Sequence, residues 1–217
     1  MAKSLTQLIL LARQSADFEN DPLCDDTEIT TYVNDGLRKL YLAYVKVYTD
    51  AYILSQSFTV APGATTAPLP ALFLKSRGVD IFFNSRWSPV RHFTWRERGS
   101  YHSGRRAHRV DTLIRLDPEF LDLSGSYRIW YYPTAPVLVN GTDVLDALMD
   151  QWSDFIVDYA ASRMLVKAKL DPSAQFGNMN AVLAAMSEEA PRRDDEPDQA
   201  PDVDTDRASI ADSEWGL

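Results

Sequence analysis

Residues 25–60 read DDTEITTYVNDGLRKLYLAYVKVYTDAYILSQSFTV, and the period of the apolar positions changes once within them. Ile29, Tyr32, Val33, Gly36, Leu37, Leu40, Tyr41, Tyr44, Val47 and Tyr48 recur at three- and four-residue steps, the spacing that lines one face of a helix. Asp25, with Glu28 three residues on, supplies a start signal. The spacing predicts one long helix from about Thr27 to Thr49. From Tyr52 the step becomes two: Tyr52, Leu54, Gln56, Phe58 and Val60 alternate with Ile53, Ser55, Ser57 and Thr59 until Pro62-Gly63. A helix therefore passes directly into a strand.

Upstream, Ser4 and Gln7 form a capping box ahead of Leu5, Leu8, Ile9, Ala12 and Ala16, which predicts a short amphipathic helix. Downstream, strands are expected at Val79 to Phe83, Arg86 to Val90 across an Asn84-Ser85 turn, Val110 to Leu116, Phe120 to Leu123, and Tyr127 to Tyr132. Thr94 with Glu97 suits one short helix between them. Helical spacing returns after Asn140-Gly141, with Asp143 as cap and Leu145, Leu148, Met149, Trp152, Phe155, Ile156 and Tyr159 on one face, reaching Leu170. Pro172 then suits the first turn of a fourth helix carrying Phe176, Met179, Leu183 and Met186. No internal repeat is present.

Two isolated helices at either end could not bury their apolar stripes alone. The expected fold is thus α+β: a four-helix bundle from N- and C-terminal helix pairs (1–50 and 142–189), an inserted small β module (51–141), and an extended acidic C-terminal arm (190–217).

The chain has 217 residues, 45% hydrophobic and 24% charged, enough to bury a core. Its opening carries a four-residue apolar run, Leu8 to Leu11, far short of the roughly 20 residues of a membrane span. A soluble intracellular product without membrane anchoring is expected. Cys24 is the only cysteine, so no intrachain disulfide can form.

Chemistry-bearing patterns are sparse. His92, His102 and His108 are spaced ten and six apart, which fits neither a paired helical ligand face nor a zinc ribbon, and solvated surface histidines are the simpler reading. No G-x-S-x-G, phosphate-binding or dinucleotide glycine motif occurs. Cys24 stands beside Asp25 and Asp26, which disfavour a thiolate. Most carboxylates crowd the tail, without the fixed geometry acid–base catalysis needs. Neither an enzyme nor a cofactor or metal site is expected.

Charge is unevenly placed. Residues 190–217 hold nine acids against three arginines, so the tail carries −6 of the net −9. Residues 86–109 hold seven arginines, all three histidines and one acid, Glu97. There Arg86, Arg91, Arg98, Arg105, Arg106 and Arg109 interleave with Trp87 and Trp95. Such a segment suits contact with another subunit, and it also offers phosphate contact and base stacking, so a nucleic-acid-binding module is the alternative. The sequence pI of about 4.8 opposes that alternative. The tail admits two readings, a solvated tether and an arm that folds on docking. Ile210, Trp215 and Leu217 at its end are suited to plug a partner's groove.

The phrases LTQLILLARQ, TEITTYVNDGLRKLY, RWSPVRHFTWRERGSY, YRIWYYPTAP and WSDFIVDYAASRMLVKAKLDPSAQ, in this order over residues 5–186, resemble the head-to-tail adaptor (connector) proteins of tailed bacteriophages. The resemblance implies a structural protein of the virion neck, made in the host cytoplasm. It implies a homo-oligomeric ring, usually of twelve copies, attached below the portal protein and above a tail or nozzle protein. Genomic DNA would pass through its lumen without sequence recognition. It also implies that the C-terminal segment, with Ile210, Trp215 and Leu217, reaches into the portal. The resemblance does not extend beyond Ala190.

Overall fold

The computed structural model describes residues 2–19, 21–62, 64, 66–92, 106–110, 113–116 and 125–189. Among them the element order is α1 (Leu5–Ser15), α2 (Asp26–Val47), β1 (Leu54–Val60), β2 (Thr66–Pro68), β3 (Phe73–Phe83), β4 (Arg86–His92), β5 (Arg106–Val110), β6 (Leu113–Leu116), β7 (Gly125–Pro133), α3 (Ala147–Asp150), α4 (Ser153–Lys167) and α5 (Ser173–Glu189). The protein is mixed α+β, with helices at both ends of the described residues and the strands between them.

The helices start where side chains satisfy their free backbone amides. Ser4 Oγ accepts from Gln7 N while Gln7 Oε1 accepts from Ser4 N, closing the capping box. Asp25 accepts from Glu28 N at 2.7 Å to open α2. The expected third helix is broken: Asp146, not Asp143, caps the single turn of α3, and α4 restarts at Ser153. Asp143 instead accepts from Val139 N and Asn140 N in the preceding loop, which draws its carboxyl below the ordinary range. Among the described residues five helices therefore stand where the two flanking pairs would give four.

Helix α4 occupies the centre. Eleven of its fifteen residues are buried, on all sides of the helix, because α1, α2 and α5 all pack against it. Ile29, Val33, Leu37 and Leu40 of α2, Leu8 and Ala12 of α1, and Ile156, Ala160, Ala161 and Met164 of α4 share one core. Each large aliphatic group among them contributes about 1.5–3 kcal/mol on full burial. Gly36 lets α2 and α4 approach: a Cβ there would lie 3.1 Å from Tyr159 Cδ1 and 3.4 Å from Ile156 Cα.

The passage from α2 to β1 turns on Tyr52, whose φ of 59° is unusual for a bulky residue. Its ring packs 5.2 Å from that of Tyr41 and 5.7 Å from that of Tyr44, and its hydroxyl donates to Asp146 Oδ1. These contacts offset the backbone strain and weld the helical and β layers. Tyr41 Oη donating to Pro133 O and Tyr132 Oη donating to Thr49 O add two more ties.

The strands form one sheet in the order β1-β7-β3-β4-β5-β6-β2, antiparallel except for β4 with β5. Asn84 and Ser85, both at positive φ, make the tight β3–β4 turn expected of them. A flat sheet of seven strands would hold its edges roughly 29 Å apart at ordinary strand spacing. The five-residue connection 61–65 can bridge only about 21 Å from Val60 to Thr66. The sheet therefore curls until β1 and β2 touch, and its concave face closes on Val60, Ala67, Val79, Ile81, Val90, Ile114, Tyr127 and Ile129.

Three expectations need correction here. Strand β3 begins at Phe73, six residues before the expected Val79, and register shifts between Phe73 and Lys75 and between Ser76 and Gly78 disturb the alternation that would have revealed it. The strand expected over Val110 to Leu116 is instead the antiparallel pair β5 and β6. Strand β2 was not anticipated. The expected strand at Phe120 to Leu123, the helix at Thr94 and the arm from 190 lie outside the described residues.

Candidate assembly surfaces

Alternation on β3 and β7 sends Val79, Ile81, Tyr127, Ile129 and Tyr131 inward, which leaves Asp80, Phe82, Arg128 and Trp130 on the convex face. The register sets Asp80 opposite Arg128 and Phe82 opposite Trp87 of β4. The Arg128 guanidinium carbon consequently sits between two indoles, 4.4 Å from the Trp87 ring centre and 4.6 Å from that of Trp130. Asp80 Oδ2 accepts from Arg128 Nη2 at 3.2 Å and from Trp130 Nε1 at 2.6 Å. Phe82 packs on Trp87 with ring centres 5.3 Å apart and remains half exposed. Each cation–π contact contributes about 0.5–2 kcal/mol, and the carboxylate fixes the fork. Arginine and tryptophan held rigid at a surface are the residue types that anchor protein interfaces.

The sequence-derived candidates distribute around this cluster. Arg86 begins β4, exposed and opposite Phe83; Trp87 joins the cluster. Arg91 and Arg106 are register partners across the parallel β4–β5 pair, and Arg109 stands opposite Ile114. Trp95, Arg98 and Arg105 lie outside the described residues, as do Ile210, Trp215 and Leu217. Sequence reading missed Arg128, Trp130 and Asp80, although the two-residue step of Tyr127 to Tyr132 already placed Arg128 and Trp130 on one face.

A second surface feature is a groove of about 630 Å³ between the outer face of α2 and the first half of β3. Leu42, Val45 and Leu74 supply apolar lining, and Lys46, Lys75 and Arg77 supply charge. The acid beside it, Asp50, is 3.7 Å from Arg77 and well exposed, so the pair is weak.

The ionisable groups with displaced titration are explained by packing. Burial pushes Tyr41 up to about 12, and a hydrogen bond to Glu28 does the same for Tyr32. Burial raises the Cys24 thiol, with Glu28 and Asp21 adding to it, so the neighbours named from sequence, Asp25 and Asp26, are not the cause. Asp158, enclosed by α1 and α5, is raised by burial against the hydrogen bonds of Ser15 and Asn178. Among the described residues no three of His, Cys, Asp and Glu gather in a way that would hold a metal ion. No described helix is long and apolar enough to cross a membrane.

No curated protein matches the chain. The family model described as SU10 adaptor protein matches residues 4–205. That match extends past Ala190, where the resemblance stopped, into the acidic tail, and ends before Ile210. It spans nearly the whole described fold, the curled sheet and the α4-centred helices included, and the chain belongs to the SU10 adaptor protein family of bacteriophage head-tail adaptors.

Proposed function

We propose that the chain is a structural protein of the virion neck that forms a ring of about twelve copies, joins the portal to the tail, and lines part of the DNA conduit. Membership in the adaptor family carries this reading. In it, the convex Trp87–Arg128–Trp130 cluster and the Arg86, Arg91, Arg106 and Arg109 strand positions meet a neighbouring copy or a tail protein. Trp95, Arg98 and Arg105 extend the same basic segment. Trp87 already has Arg128 over its ring and Phe82 tilted against it, which supports protein contact for it over stacking on a base. A body carrying about −3, once the tail's −6 is set aside from the net −9, suits a conduit, since attractive walls would slow passing DNA.

The arm ends in Ile210, Trp215 and Leu217, which in this reading seat in the portal. Deleting residues 200–217 should leave the fold of the chain intact, read by far-ultraviolet circular dichroism, and weaken its attachment to portal rings, read by co-sedimentation. Undiminished attachment would remove the arm from the proposal.

A further inference from the structure

The groove between α2 and β3 lies within reach of the arm. Helix α5 runs to Glu189, and near its end the carbonyl of Met186 accepts from Tyr48 Oη at 3.3 Å. Tyr48 is the residue before Thr49, a groove-lining residue at the C-terminal end of α2. The last turn of α5 is thereby tied to the end of α2, the helix that forms one wall of the groove. From Glu189 to Asp194 five residues can span up to about 17 Å.

The next thirteen residues, DDEPDQAPDVDTD (194–206), contain seven acids and no basic residue. The groove wall carries Lys46, Lys75 and Arg77, opposed only by Asp50 among the acids named at it. Its apolar lining, with half-exposed Leu42, can receive Val203 and the proline rings. Pro197 and Pro201 favour an extended backbone, which lowers the entropy lost on docking. Tethering a few residues away adds an effective concentration in the millimolar range.

We infer that Asp194–Asp206 docks in cis, along the α2–β3 groove of its own chain, with its acids against Lys46, Lys75 and Arg77. This goes beyond the assembly reading and requires neither a ring nor a portal. The acidic half of the arm is then a guide that sets where the chain leaves the body. The apolar end from Ile210 remains free to reach a partner.

Carbodiimide coupling of carboxylates to lysine amines in the full-length chain tests the placement. The sample is a mixture of unlabelled and ¹⁵N-labelled protein at low salt, and the joined peptides are identified by mass spectrometry. The chain has six lysines: Lys3, Lys39, Lys46, Lys75, Lys167 and Lys169. Docking predicts that Asp202, Asp204 and Asp206 join Lys75 and Lys46 in preference to the other four, within copies of one isotope. Arg77→Glu keeps both amines and should lower the Lys75 yield by about three- to tenfold, as should 0.5 M salt. Coupling spread evenly over all six lysines would overturn docking. Coupling to Lys75 between differently labelled copies would overturn the cis placement and assign the groove to a neighbour's arm. A Lys75 yield indifferent to Arg77→Glu, in a variant whose thermal unfolding matches the parent, would overturn the charge argument.

Discussion

Replacing Gly36 sets two effects of known size against each other. In a helix interior alanine is favoured over glycine by about 0.8–1.0 kcal/mol, so propensity alone predicts that Gly36→Ala stabilises α2. The added Cβ, however, would meet Tyr159 Cδ1 at 3.1 Å, Tyr159 Cβ at 3.3 Å and the Ile156 backbone at 3.4 Å. Neither a ring held at its own Cβ nor a backbone atom of the central helix moves cheaply, and overpacking of this kind costs about 1–3 kcal/mol. Gly36→Ala should therefore come out between neutral and about 2 kcal/mol destabilised. Gly36→Leu has nearly the same propensity gain but three more carbons to place between α2 and α4, so it should lose about 3 kcal/mol or more. At roughly 2–4 °C per kcal/mol for a chain of this size, its Tm falls by about 6–12 °C. Urea unfolding followed by circular dichroism measures both. A Gly36→Leu variant within about 0.5 kcal/mol of the parent would refute the close approach of the two helices.

Asp80→Ala strips the acceptor shared by Arg128 and Trp130; leaving two partly buried donors unpaired should cost about 1–3 kcal/mol in denaturant unfolding and shift the tryptophan emission. Asp158→Asn tests the one buried carboxylate of α4. Its native pKa is raised above the ordinary 3.8 by burial, so the folded state holds the proton more tightly and stability falls as pH rises from the ordinary value through the raised one. The variant should thus unfold at higher denaturant than the parent at pH 7, and the gain should vanish below the ordinary value, with Ser15, Asn178 and Asp154 as the groups facing the site. A gain that persisted undiminished in acid would show that charge burial is not its cause.

Local chemistry made much of the fold legible in the sequence. Ser4, Gln7, Asp25 and the Asn84-Ser85 turn act through neighbours a few residues away, and each does in the structure what its type and spacing imply. The break between α3 and α4 was not legible, because the apolar stripe from Leu145 to Tyr159 keeps its phase across Gln151 and Trp152. The first half of β3 was hidden by its charges and by two register shifts. Neither surface feature is local. The Arg128 sandwich requires the register of β4, β3 and β7 at once, and the groove requires the end of α2 to stand beside the first half of β3. The basic segment 86–109 announced itself by composition, yet the best-held cation of the described sheet, Arg128, lies outside it.

The central claim is that this adaptor-family chain works as a ring at the portal. Native mass spectrometry of the full-length protein, alone and mixed with portal rings over a range of concentrations, tests it most directly. The account predicts a closed oligomer of about twelve copies, stabilised by the portal. A monomer at every concentration, with and without portal, would contradict it.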